Sequence, residues 1–154
     1  MSLLDAAMNG AHLGFAGLWV GSVIFLTVAV LPLAREGAFD AAPLETVTSR
    51  LQWISRISAL ALFASGGHLA GTRYTVDSLF GSAQGHLVLV MLTLWFLLAL
   101  LVELGSKKLA TGFAQRKVRQ PAHEARPYFL VASLVGVLLF VDAGFLSVPT
   151  AIPV

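Results

Sequence analysis

Four long stretches of this chain carry almost no charge, and this feature limits most strongly what the chain can fold into. The stretches cover residues 6–34, 51–72, 79–104 and 127–147, and none contains more than one Asp, Glu, Lys or Arg. A helix needs roughly 20 mostly apolar residues to cross a bilayer, and each stretch is long enough. We therefore expect an all-α fold: a four-helix transmembrane bundle that forms one integral membrane domain, residues 1–154.

The composition of the whole chain agrees with lipid as its main solvent. Hydrophobic residues make up 57% and charged residues 12% of the sequence, whereas soluble domains carry about 25% charged residues. The chain has no cysteine, which excludes disulfides and thiolate metal sites. We see no nucleophile–base pair and no phosphate-binding glycine loop, so hydrolases and NTPases are not expected. We expect the lipid bilayer to be the partner of this chain, and we expect no binding of nucleic acid. The sequence does not decide whether the chain forms a homo-oligomer.

Lysine and arginine are distributed unevenly between the two ends of the predicted helices. The side with Arg73 has no other basic residue, whereas the opposite side carries Arg35, Arg50, Lys107, Lys108, Arg116, Lys117, Arg119 and Arg126. Loops rich in Lys and Arg stay in the cytoplasm during membrane insertion. We therefore predict a plasma-membrane protein whose main basic loop, residues 105–127, is cytoplasmic and whose termini are both extracytoplasmic.

Each predicted helix carries one polar, potentially coordinating side chain near its outer end. These are His12, His68, His86 and Asp142, and at 1.5 Å per residue each lies roughly 6–8 Å below the outer boundary. An ionisable group in hydrocarbon is costly unless it binds something or finds a hydrogen-bond partner. The shared depth of these four side chains predicts a binding site in this layer.

Neighbouring residues extend the candidate set. Met8 lies four residues before His12 and on the same face of its helix, so it is a candidate thioether ligand. Met91 follows His86 by five residues, which separates the two side chains by about 140° around the helix; only one of them is expected to serve a single centre. Asp142 can ligate a metal directly or accept the second N–H of a histidine.

Three segments resemble a known membrane family. These are "HLGFAGLWVGSVIF" with the later "LP", then "SRLQWISRISALALFASGGHLAG", and "GSAQGHLVLVMLTLWFLLALLVELGSKKL". They resemble the first three helices of copper-resistance D (CopD) type proteins and of the related HemJ-like proteins, over roughly residues 8–110. The CopD type is associated with copper uptake or tolerance, and the HemJ type with haem and porphyrinogen oxidation. The resemblance matches His12 to a proposed axial haem ligand.

The preferred interpretation is a b-type haem held between the helices for electron transfer. His12, paired with His68, His86 or Met91, can supply the axial ligands, and Arg73 and Tyr74 lie on the correct side for the propionates. The resemblance places a lysine of the HemJ type at the position of Met91, so porphyrinogen oxidation is not expected. A quinone or another redox partner would exchange the electrons, and any enzyme activity would be that of a membrane oxidoreductase.

Two alternatives stay open. Thioether and imidazole ligands suit Cu(I), so the chain can instead bind or transport copper through Met8, His12, His68, His86 and Asp142. A copper channel would need a second layer of ligands deeper in the membrane, and the sequence offers only Thr27, Ser58 and Thr93 there. The other alternative is a structural membrane subunit without a cofactor.

Overall fold

A computed structural model describes residues 2–148, and every regular element in that range is helical, which confirms the all-α class. The predicted single domain also includes Met1 and residues 149–154, which lie outside the described residues. The elements are α1 (Leu3–Phe25), a π-helical turn (Leu26–Val30), α2 (Leu31–Glu36), α3 (Ala41–Arg73), α4 (Val76–Gly81), α5 (Ala83–Ala114) and α6 (Arg119–Ser147).

The first three elements form one continuous helix. Its start is fixed by a reciprocal cap, in which the Asp5 amide donates to Ser2 Oγ (3.1 Å) and the Ser2 amide donates to Asp5 Oδ2 (2.9 Å). The π turn directly precedes Pro32, which has no N–H and would crowd the carbonyl four residues back in a regular α-helix. The helix ends at Gly37, whose φ of 79° is a left-handed conformation that glycine adopts without strain.

The long helices pack side by side as a helix bundle. α1 packs on α3, α3 on α5 and α5 on α6, while α6 returns to contact α1 and α2. In this ring order α1 lies diagonally opposite α5, and α3 lies diagonally opposite α6. The core between them is apolar and includes Trp19, Val23, Leu98, Leu109 and Phe129.

Glycines allow α6 to approach its neighbours closely. A Cβ at Gly105 would lie 2.8 Å from Phe129 Cε2, and a Cβ at Gly112 would overlap the ring of Pro121. A Cβ at Gly136 would lie 2.7 Å from Val20 Cγ1. Small residues at these points bring helix backbones together, which is how helices gain packing energy in lipid.

Three of the helical segments are long and apolar enough to cross a membrane: Leu3–Glu36, Ala83–Ala114 and Arg119–Ser147. Large apolar side chains such as Leu60, Phe96 and Leu134 point outward along the bundle, as expected for a protein whose surroundings are lipid. α3 is as long as the other helices but less apolar, and it is not among the three candidate spans.

The predicted loop 105–127 is mostly helical, so this boundary was wrong. α5 continues to Ala114 and α6 begins at Arg119, which leaves residues 115–118 as the connection. The charge-poor stretch ends earlier than the helix because Lys, Arg, Glu and Gln are good helix formers. Each extension also buries an apolar face, with Leu109 on α5 and Ala125 on α6.

The other predicted boundaries shift for the same reason. α3 begins at Ala41 rather than near residue 51, because Leu44 and Thr48 already pack inside. Pro127, predicted at the start of the fourth helix, lies inside α6. The predicted loop after α3 contains α4, whose first turn is capped by Thr75 accepting from the Ser78 amide.

We predict that Gly112→Ala destabilises the fold by about 1–3 kcal/mol, because the new methyl group overlaps the Pro121 ring and forces α5 and α6 apart. Thermal unfolding of the purified protein in detergent measures the effect. Gly17→Ala is the matched control, since nothing lies within 4 Å of a Cβ there, and alanine is the better helix former. Equal melting temperatures for the two variants would contradict this account of the α5–α6 contact.

Candidate functional site

His12 lies on the side of α1 that faces α3, and its ring is oriented by a serine. Its Nδ1 is 2.9 Å from Ser65 Oγ, and its Cε1 lies 3.0 Å from where a Cβ on Gly66 would be. The single hydroxyl proton of Ser65 is donated to the Ala61 carbonyl at 2.7 Å. His12 Nδ1–H is therefore the donor in its contact with Ser65, and Nε2 keeps the lone pair that a metal ligand requires.

His68 takes part in a different contact between the same two helices. Its Nε2–H donates to Asp5 Oδ1 at 3.0 Å, and both side chains are about one-quarter exposed. Asp5 also accepts from the Ser2 amide at the start of α1. His68 thus ties the end of α3 to the capped end of α1, and its Nε2 is already used.

His86 lies in the first turn of α5 and is exposed. Its Nε2–H donates to the Phe80 carbonyl at 2.8 Å, which fastens α4 to α5. Gly85 beside it has no room for a Cβ, because the carbonyl oxygens of Ser78 and Leu79 occupy that space. His86 therefore stabilises the turn between α4 and α5.

Three side chains lie on the buried faces of their helices, nearer than the core residues to the end of the bundle where α1 begins. Each lies two helical turns, or seven residues, outward from a buried core residue, and so shares its face. The pairs are His12 with Trp19, Met91 with Leu98, and Asp142 with Val135.

Contacts between neighbouring helices set the depth of His12 relative to Met91. His12 lies opposite Ser65 on α3. Two residues from Ser65, Phe63 packs on Trp95 of α5 with ring centroids 5.7 Å apart. Met91 is one helical turn from Trp95 toward the same end of the bundle, which brings it close to the depth of His12.

The register of α5 and α6 places Asp142 in the same layer. Gly105 lies against Phe129, and the two helices run in opposite directions. Asp142 is thirteen residues beyond Phe129, and Met91 is fourteen residues before Gly105. The three side chains His12, Met91 and Asp142 therefore share a layer about one helical turn thick, ~5 Å. We call these three residues the outer layer.

Several buried polar atoms in this half of the bundle have no hydrogen-bond partner among the described residues. Asp142 Oδ2 lies in the outer layer and Trp95 Nε1 one turn from Met91, while Trp19 Nε1 and Ser58 Oγ lie about two turns, ~10 Å, deeper. Asp142 is only 6% exposed and Trp19 is fully buried. Buried polar atoms in proteins almost always have a partner, so an unpaired carboxylate and two unpaired indole N–H groups indicate a place for a polar ligand or water.

The remaining predicted residues lie outside the outer layer. Met8 is half-buried one turn beyond His12 on α1. Arg73 is exposed at the last position of α3, and Tyr74 follows it, half-buried. Within residues 2–148, no group of three or more His, Cys, Asp or Glu side chains lies close enough together to hold a metal ion.

The sequence pattern did not reveal Ser65 or Trp95 as part of this region, whereas the seven-residue spacing from His12 places Trp19 on the same face of α1. Ser65 could have been found from its position three residues before His68 on a glycine-rich helix, since serine is a common interhelical hydrogen-bond partner in lipid. The indole N–H groups gave no such signal, because a tryptophan in an apolar helix normally indicates core packing.

No family model matches this chain, and neither does any curated protein or any solved structure. The resemblance to CopD-type and HemJ-like proteins therefore stays a prediction.

We predict that His12 is the Nδ1-protonated tautomer in neutral protein, because Ser65 can only accept from it. Nitrogen-15 NMR of histidine-labelled protein distinguishes the two ring nitrogens. Ser65→Ala should shift the His12 Nδ1 signal because its serine acceptor is lost, whereas Ser55→Ala, which removes another buried serine of α3, should leave the His12 signals unchanged. A proton on Nε2 of His12 in the unaltered protein would contradict the assignment.

Proposed function

We propose that this chain is a four-span membrane protein that binds a b-type haem in its outer layer and transfers electrons. The observation that supports this most directly is the state of His12. Its ring is held by Ser65 through Nδ1, so that Nε2 is free to ligate iron. A hydrogen bond at the remote nitrogen of this kind fixes the orientation of metal-ligating histidines and raises their basicity.

The proposed fourth span is α3. It is less apolar than the candidate spans, but it packs between α1 and α5, which are both apolar enough to cross the bilayer. Its polar side chains Ser55, Ser58 and Ser65 are all turned into the bundle. The exposed Arg56 in the middle of the helix is paired with Glu103 of α5 at 3.0 Å. A helix that buries its serines and pairs its charged side chain can occupy the membrane at a lower cost.

The proposed orientation follows from charge. All three lysines and all arginines except Arg73 and Arg56, which lies in the middle of α3, are at the end of the bundle where α5 joins α6. An excess of Lys and Arg marks the cytoplasmic side of plasma-membrane proteins. In this orientation the termini and α4 face outward, and the outer layer lies in the extracytoplasmic half of the membrane.

The residues of the outer layer fit a haem better than a bare metal ion. A porphyrin supplies four ligands itself and needs one or two from the protein, whereas a bare ion takes three or four protein ligands. The described residues bring together no triad of His, Cys, Asp or Glu. They do bring an imidazole, His12, and a thioether, Met91, to a similar depth on the diagonal helices α1 and α5, as an axial pair requires.

One unpaired polar group near this pair is available to a bound haem. The buried indole N–H of Trp95, one turn from Met91, has no acceptor in the described residues. Arg73 and Tyr74 remain candidates to hold propionates nearer the surface. Bound haem would supply one-electron redox chemistry, and the chain would orient the iron ligands and keep water from them.

Copper binding is a second candidate, and one observation favours it. Met8 lies one turn from His12 on the same face of α1 and is half-buried, and a thioether beside an imidazole suits Cu(I). A single layer of such ligands fits copper binding or tolerance better than a pathway across the membrane.

We predict that detergent-purified protein, produced with haem and copper both available, shows a Soret band and a sharp α-band after dithionite reduction. His12→Gln should abolish both bands, because glutamine retains a hydrogen-bond donor for Ser65 but cannot ligate haem iron as imidazole does. Met91→Leu should keep haem but change its spectrum. Metal analysis is made on the same samples.

The control is His123→Gln, which alters an exposed histidine at the far end of the bundle and should leave the spectrum unchanged. A colourless protein that binds copper would overturn the haem proposal in favour of the copper candidate. A protein that retains neither group would instead support a structural membrane subunit. Haem retained equally by His12→Gln would remove His12 from the site.

We predict that a cysteine at Asp77 reacts with a membrane-impermeant maleimide in intact cells and that a cysteine at Gln115 reacts only after permeabilisation. Both positions are exposed, and the chain has no native cysteine, so Asp77→Cys and Gln115→Cys each carry a single reactive group. Labelling of both variants, or the reverse pattern, would contradict the proposed orientation.

A further inference from the structure

A groove of about 400 Å³ lies between α5 and α6 at the end of the bundle opposite the outer layer. Its walls come from the last turns of α5 and the first turns of α6, including Thr111, Gln120 and Tyr128. Gly112 lies at its base, where the Pro121 ring touches the α5 backbone. A groove of this size is large enough for a small polar ligand.

All the lysines of the chain line this one groove: Lys107, Lys108 and Lys117. Lys107 lies 4.0 Å from Glu103, which is bound more closely by Arg56 at 3.0 Å. Among the described residues, Lys108 and Lys117 have no carboxylate within 4.0 Å. Glu124, the acidic residue of the groove, accepts from Gln120 Nε2 at 2.9 Å. The groove therefore carries an excess of positive charge with little internal compensation.

The backbone adds to this positive character. Two carbonyls at the end of α5 already have partners, because Gly112 O accepts from the amides of Gln115 and Lys117, and Phe113 O accepts from Arg116. The start of α6 has no side-chain cap at Val118. The positive end of the α6 dipole thus lies at the same end of the bundle as the lysines, and Arg119 and Gln120 supply the amides of its first turn, because Pro121 has no N–H.

The position of the groove indicates the source of its ligand. It lies where two candidate membrane spans end, at the depth expected for lipid headgroups. Leu104 and Tyr128 line the side nearer the apolar part of the bundle, which is where the acyl chains of a lipid would continue. Basic pockets between helices on the cytoplasmic side are suited to anionic headgroups.

We propose that this groove binds the phosphate group of an anionic membrane lipid, with Lys108 and Lys117 as its principal cationic contacts and Lys107 beside them. The positive end of the α6 dipole adds to the attraction for the phosphate. The site is separate from the outer layer and does not depend on the haem proposal.

Native mass spectrometry of detergent-released protein tests this, with phosphatidylglycerol and phosphatidylcholine of identical acyl chains as probes. We expect phosphatidylglycerol to be retained in preference to phosphatidylcholine. The double variant Lys108→Gln with Lys117→Gln should weaken that retention on the order of tenfold, because two charges at the headgroup are lost. The double variant Arg35→Gln with Arg50→Gln, which removes two charges outside the groove at the same end, should retain it.

Equal retention by the lysine variant and the unaltered protein would overturn the proposal, and so would equal weakening by the arginine variant. Displacement of the bound lipid by millimolar inorganic phosphate would show that the groove takes free phosphate, which also overturns a lipid assignment. Circular dichroism checks that each variant is folded. The haem spectrum of the same samples is expected to be unchanged, so the two proposals fail or hold separately.

Discussion

A polar group in the apolar interior of a helix bundle has no bulk water to bind and needs a partner within the protein or a bound ligand, and much of this structure follows from that constraint. Ser65 illustrates it, since its hydroxyl donates to Ala61 and accepts from His12. One side chain thereby satisfies an imidazole, joins α1 to α3 and sets the tautomer of the ring. Asp5 likewise accepts hydrogen bonds from both the Ser2 amide and His68 Nε2. Against this background, the unpaired carboxylate oxygen of Asp142 indicates a binding region.

The all-α class could be read from the sequence, and so could the positions of His12, His68, His86 and Asp142 near the ends of their helices. Charge-poor stretches mark where helices are apolar, and counting residues along a helix gives depth. Helix ends were harder to place, because the helices continue into charged segments wherever one face still packs, as at Leu109 and Ala125. The less apolar α3 shows the same limit, since hydropathy along the chain does not reveal that Ser58 faces inward.

Which candidate residues come together depends on the direction in which each side chain points around its helix. Counting residues along the sequence gives the depth of a side chain but not its partners on other elements. His68 and His86 lie near the outer end as expected, but their rings are used by Asp5 and the Phe80 carbonyl. These partners lie on other elements, and only the packing of those elements brings them close. The glycines of α1 give a similar lesson: Gly10, Gly14, Gly17 and Gly21 have open space around them rather than a helix of this chain.

The π turn at Leu26–Val30 has a consequence for the phase of the helix that follows it. Each wider turn holds an extra residue, so everything after it is rotated by about 100° relative to an uninterrupted α-helix. This rotation brings Leu31 and Ala34 back into line with Trp19 and Val23, and all four are buried. A regular α-helix of the same length would direct Leu31 about 100° away from this face, whereas removal of one residue from the turn should restore a regular α-helix and keep Leu31 directed inward. The π turn thus returns the apolar face of this helix toward the core shortly before the helix ends at Glu36.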